Sequence, residues 1–143
     1  MRTNHRNRGA VVLAMGLLGV LGCVQDGPVT HPVAGKVELA GGDVKQLAGS
    51  HIEAALVSDP AIRASGVIGE AGGFTLETIH AGVILKGARE GKYQVRIIPE
   101  DDDRATQRRQ RAALAGRYLQ FKTSGLSLDV PTGSEVTLTV SPR

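Results

Sequence analysis

Val136-Thr137-Leu138-Thr139-Val140 alternates apolar and hydroxyl side chains without a break. Successive side chains of an extended chain point to opposite faces, so this stretch offers one face to a core and one to water. A helix would spread the same residues around its whole circumference. The segment reads as a strand, and the same two-residue period recurs upstream. Leu126-Ser127-Leu128-Asp129-Val130 repeats it, and Lys92 to Pro99 carries Tyr93, Val95 and Ile97 in phase. Phe74 to Thr78 follows the tight connection Glu70-Ala71-Gly72-Gly73, which joins it to Ser65–Gly69. Ile52 to Ser58 sets Ile52, Ala54 and Leu56 on one side. Val33 to Leu39 runs alternately until Gly41-Gly42-Asp43 turns the chain. These are about seven short strands separated by turn signals, and they predict an all-β fold, an antiparallel β-sandwich.

One stretch breaks the rhythm. Glu100-Asp101-Asp102-Asp103 precedes Arg104 to Ala115, which is rich in helix formers and stops at Gly116. Carboxylates at the start, arginines later and a closing glycine suit the helix dipole and its caps. A short helical insertion over about 101–116 is expected between the fifth and sixth strands. Its apolar residues are mostly alanines, so it should be largely solvated or only partly formed.

The other decisive segment lies at the N-terminus. Arg2, Arg6 and Arg8 precede an apolar run from Gly9 to Gly22, and Cys23 follows as the chain's one cysteine. A basic start, a short apolar stretch and small residues before a cut describe a secretory signal. About 14 apolar residues fall short of the roughly 20 that a helix needs to cross a bilayer. Val20-Leu21-Gly22-Cys23 resembles the bacterial lipobox, in which the cysteine is acylated and becomes the new N-terminus. The alternative is an ordinary signal peptide with a chance cysteine near its end. The expected division is a lipoprotein signal helix over 1–22, a tether over 23–30 and a β-domain over 31–143. Attached acyl chains, each CH₂ contributing roughly 0.8 kcal/mol, would hold Cys23 at a membrane. Val24, where an aspartate favours inner-membrane retention in some bacteria, points to the outer membrane or the cell surface.

This division also removes the apparent basicity. The chain has 17 basic and 14 acidic residues, yet all the acids lie after Cys23 and three arginines before it. The exported part is formally neutral, so charge gives no case for nucleic-acid binding.

Chemistry is sparse. His31, His51 and His80 have no partner at metal-ligand spacing, and no metal or other cofactor is expected. There is no GxSxG elbow and no phosphate-binding glycine loop, so no catalytic residue is assigned. The acids Glu100 to Asp103 lack the alternating spacing of a calcium loop. Arg108, Arg109 and Arg111 could touch anionic headgroups or acidic glycans, although the neighbouring acids favour local neutralisation. Phe74 and Tyr93 stand at core phases of their strands. Tyr118 and Phe121 remain as candidates for a partner surface, or as covers for one end of the sandwich.

Taken in order, several segments resemble a known family. They are His31-Pro32-Val33-Ala34-Gly35-Lys36-Val37, Ala64-Ser65-Gly66-Val67-Ile68-Gly69, Gly72-Gly73-Phe74-Thr75-Leu76 and Gly87-Ala88-Arg89-Glu90-Gly91-Lys92-Tyr93-Gln94-Val95, then Tyr118 and Thr123-Ser124-Gly125-Leu126. With the lipobox, this set resembles the planctomycete-type lipoproteins that carry a carboxypeptidase regulatory-like, or transthyretin-like, domain. The resemblance implies a prealbumin-like sandwich and export, and no established activity. Ala71 stands where the family has an aspartate in its hairpin turn. Transthyretin-like hydroxyisourate hydrolases end in Tyr-Arg-Gly-Ser, whereas this sequence reads Val140-Ser141-Pro142-Arg143. Intradiol dioxygenases need two tyrosines and two histidines at a spacing that Tyr93 and Tyr118 do not match. The expectation is a non-catalytic, lipid-anchored protein of the cell envelope with a structural, adhesive or accessory role. A surface module for peptides or polysaccharide is the alternative, and a divergent hydrolase a remote one. Expected partners are the membrane, through the lipid, and an envelope protein or polysaccharide; the oligomeric state stays open.

Overall fold

A computed structural model of the chain describes residues 27–143. The expected signal helix and the lipidation residue Cys23 fall outside that range. The described residues form nine strands: β1 (Ala34–Leu39), β2 (His51–Leu56), β3 (Arg63–Val67), β4 (Gly73–Thr75), β5 (Glu77–His80), β6 (Val83–Lys86), β7 (Gly91–Ile98), β8 (Leu126–Val130) and β9 (Val136–Val140). Two short helices, α1 (Arg104–Ala113) and α2 (Phe121–Ser124), lie between β7 and β8.

The strands make two sheets, one of three strands in the order β4-β1-β9 and one of six in the order β6-β5-β3-β2-β7-β8. A single core joins them. Val37 and Leu39 of β1, Leu138 and Val140 of β9, Ile52 and Ala54 of β2, and Tyr93, Val95 and Ile97 of β7 are all buried in it. Several strands bury alternate residues, as β1 does with Gly35, Val37 and Leu39, whereas the edge strand β6 buries none. Gly35 is part of that packing. A Cβ there would come within 2.3 Å of the Phe74 ring, which lies over it from the paired position on β4. The aromatic ring fills the space that the glycine leaves on the sheet.

The all-β class stands, with three corrections to the expected detail. The strands number nine rather than seven, because Phe74–Thr78 is two strands and β6 is added. Chain direction changes sheet at Leu76, whose N–H donates to Val33 at 3.0 Å, so β4 pairs with β1 while β5 pairs with β3. Gly66 on β3 allows the crossing, since a Cβ there would sit 2.0 Å from the Thr75 carbonyl oxygen. The second correction is β6, which pairs with β5 through a two-residue turn at Ala81 and Gly82. Both turn residues have positive φ, 49° and 80°, the hand that matches the twist of a hairpin. His80 therefore ends β5. Third, the fold is not wholly antiparallel: β1 and β9 run parallel, from Gly35 opposite Val136 to Leu39 opposite Val140.

The segment after β7 adds Ala113, Leu114 and Tyr118 to the core. Asp103 caps α1 by accepting from the N–H groups of Ala105 and Thr106 at 3.2 and 2.9 Å. The helix is shorter than the expected 101–116. It ends at Ala113 because Leu114 turns extended and inserts into the core, where it is 1 % exposed. It is largely solvated, as expected, and buries only Gln110 and Ala113. Gln110, 1 % exposed, accepts from the Glu100 N–H at 2.7 Å and donates to the Ala48 carbonyl at 2.9 Å. That one amide ties the start of the insertion and α1 to the loop before β2.

Candidate functional site

Strand alternation gives the six-stranded sheet an outer face made of Glu53 and Ala55 from β2, Arg63 and Ser65 from β3, Gln94 and Arg96 from β7, and Glu77 and Ile79 from β5. The register sets Glu53 directly opposite Arg96 on one side and Ser65 on the other. Arg63 stands opposite Ala55, whose small side chain lets the guanidinium reach across to Glu53. Arg63 Nη1 donates to Glu53 Oε1 and Arg96 Nε to Glu53 Oε2, each at 2.6 Å. Arg63 Nε also donates to the Pro60 carbonyl at 3.2 Å.

Phe121 of α2 lies over the same two arginines, with its ring centre 4.7 Å from Arg96 and 5.5 Å from Arg63. Such placement lets the ring's negative face attract the cations. α2 is held there by Ser124, whose hydroxyl donates to the Val95 carbonyl, and by Gly125, which ends the helix in the left-handed region at φ 69°. A hollow of about 450 Å³ opens beside the cluster, lined by Ala55, Val57, Pro60, Gln94, Arg96 and Phe121.

Electrostatics make Glu53 a fixed anion. Partial burial pushes its pKa up, but hydrogen bonds from Arg63 and Arg96 and their charges outweigh that and hold it below the ordinary value of 4.5. Each of its two oxygens accepts from a different guanidinium. The cluster fixes β2, β3, β7 and α2 in register. Gln94, Gln120 and Lys122 supply the groups along the hollow that are free to meet another molecule.

The residues singled out from sequence are scattered. Arg108, Arg109 and Arg111 are exposed on α1, with Arg109 Nη2 donating to Thr106 Oγ1 at 3.1 Å. The neighbouring acids neutralise them little by contact. Asp103 is occupied as the helix cap, and the hydrogen bond from the Thr106 hydroxyl is the chief reason its carboxyl titrates below the usual range. Tyr118 is buried at 2 % exposure, so its ring covers the sandwich end rather than offering a free surface. Its hydroxyl accepts from the Ser141 N–H at 3.1 Å and from the Arg117 guanidinium. Phe121 is half-buried, and its cationic neighbours come from β3 and β7 rather than from α1. Phe74 and Tyr93 take the core places expected of them. His31 pairs its backbone with Ala88, while His51 and His80 are exposed on β2 and β5. Among the described residues, no three of His, Cys, Asp and Glu gather as a metal site.

Glu53, Arg63 and Arg96 were not singled out by sequence reading. Each is an unremarkable charged residue at a solvent phase, and only the register of three strands brings them together. No protein-family model matches this chain, and neither does a curated protein or a solved structure.

Proposed function

We propose that this chain is an exported lipoprotein of the carboxypeptidase regulatory-like, transthyretin-like kind with a prealbumin-like sandwich. Acylated Cys23 holds it at a bacterial envelope, at the outer membrane or surface, where it serves without catalysis as a structural, adhesive or accessory component. One observation carries the reading. The β-domain starts about seven residues after Cys23. There the Thr30 hydroxyl donates to the Lys86 carbonyl at 2.9 Å, and His31 and Ala88 exchange backbone hydrogen bonds at 2.8 and 3.0 Å. A lipobox directly before a domain edge is the arrangement of a surface-held module.

The test is intact-mass analysis of membranes from a bacterial host that processes lipoproteins. The expected mature chain begins at residue 23 and carries acyl mass, and Cys23→Ser releases the protein from the membrane. A Cys23→Ser chain that stays membrane-bound would sink the anchor.

The hollow beside Phe121 favours a second reading, a module for peptides or polysaccharide. Its apolar floor, the amides of Gln94 and Gln120 and the cationic Lys122 suit an extended polar ligand with a negative group. A saturable rise in melting temperature with an acidic glycan or peptide, lost in Phe121→Ala, is the expected signature.

A further inference from the structure

We propose that the β5–β6 hairpin rests on the lipid surface, with Ile79 and Ile84 set into the bilayer interface beside the acyl anchor. The inference rests on the lipid-anchor reading above. Ile79 and Ile84 are 70 % and 62 % exposed, and the register places them directly opposite each other on the outer face. Val29, on the incoming chain, is 75 % exposed, and Val83 is 43 % exposed at the same hairpin. Four of the large exposed apolar residues thus gather around one edge of the six-stranded sheet. Scattered surface leucines or valines need no explanation, but a cross-strand isoleucine pair on an edge hairpin does.

The position of the anchor selects lipid as the occupant. Thr30 is bonded to Lys86, and Lys86 lies two residues from Ile84 on β6, roughly 7 Å along a strand. From Cys23 to Thr30 the chain spans about seven residues, at most roughly 25 Å when extended. An acylated Cys23 therefore keeps the isoleucine pair within one short tether of the bilayer, and contact becomes an intramolecular event at high effective concentration. The strand edge is also poorly free for a second copy, since the Lys86 carbonyl on β6 already accepts from Thr30. Two isoleucines with flanking polar groups match the depth of the headgroup–acyl boundary rather than a full insertion.

The experiment uses the full lipidated protein in vesicles of phosphatidylethanolamine and phosphatidylglycerol. A polarity-sensitive fluorophore is placed on Ile84→Cys, and separately on Ile79→Cys, with Thr137→Cys on the exposed face of β9 as the control. Cys23 is blocked by its own lipid. The expected result is a blue-shifted emission at both hairpin positions, with quenching by nitroxide-bearing lipid severalfold stronger than at Thr137. Equal quenching at all three positions, with acyl mass present on Cys23, overturns the hairpin contact and leaves the anchor standing. A chain without acyl mass removes the anchor and the contact together. A blue shift that needs no lipid and grows with protein concentration assigns the hairpin to a second copy and overturns the proposal.

Discussion

Glu53 shows how one carboxylate can organise a sheet. It is 15 % exposed at its side chain, while Arg96 and Arg63 retain 30 % and 47 %. The arginines are open enough to be screened, so the cluster contributes less than a fully buried pair. Glu53→Gln is expected to lower stability by about 1–2 kcal/mol at neutral pH, read from urea unfolding. The pH dependence follows from the direction of the shift. Because the folded carboxyl titrates below its unfolded value, the contribution is complete above the ordinary glutamate range and fades as pH falls through the folded value. The gap between parent and Glu53→Gln should therefore close in acid; a gap that widens there would refute the assignment. The two tyrosines give a second check. Burial pushes Tyr93 above 10.0, with the Arg89 charge opposing too weakly to reverse it. Burial also pushes Tyr118 upward, but hydrogen bonds from Ser141 and Arg117 outweigh it and leave that hydroxyl below 10.0. Absorbance at the phenolate band should rise in two steps as pH increases, and Tyr118→Phe should remove the earlier one.

Among the elements, α1 depends on a buried amide more than on its own propensity. Gln110→Ala leaves the Glu100 N–H and the Ala48 carbonyl without their partner, and a loss of about 2–4 kcal/mol is expected. Arg108→Ala, two residues away on the exposed side, should change stability by less than about 0.5 kcal/mol. Similar unfolding midpoints for the two variants would show that Gln110 does not tie the insertion down. The sequence made some of this visible. Strands such as β8 and β9 were legible because one face is wet and the period shows it. The acidic start of α1 was legible because capping is local. Leu76 was not, because the pattern Phe74-Thr75-Leu76 continues smoothly across a point where the chain changes partners. Nor was β6, whose Val83-Ile84-Leu85 run has no alternation and whose turn is Ala-Gly rather than the stronger Asn-Gly signal. The Glu53 cluster was hidden for a different reason. Opposite charges on three strands carry no local mark, and their meeting depends on register that pairs β2 with both β3 and β7.

At the scale of the molecule, two unequal sheets and one crossing segment share a single core, and the outer face of the larger sheet carries different chemistry at its two ends. The arginine–phenylalanine hollow lies at β2 and β7, and the isoleucine pair at β5 and β6. Adjacent strands rotate by roughly 20–25°, so three pairings from β2 to β6 turn these ends well out of one plane. A hairpin resting on lipid would leave the hollow turned by roughly 60–75° from the isoleucine pair. The parallel pairing of β1 with β9 has a consequence of its own. Its partners are separated by about 100 residues, and β1 is the middle strand of its sheet. During synthesis β1 emerges long before β9, so the small sheet lacks a flank until residue 140 has been made. Closure of the small sheet therefore waits for β9. On the export proposed above, a polypeptide that must thread a translocation channel unfolded would gain a built-in delay from the order in which its strands are made.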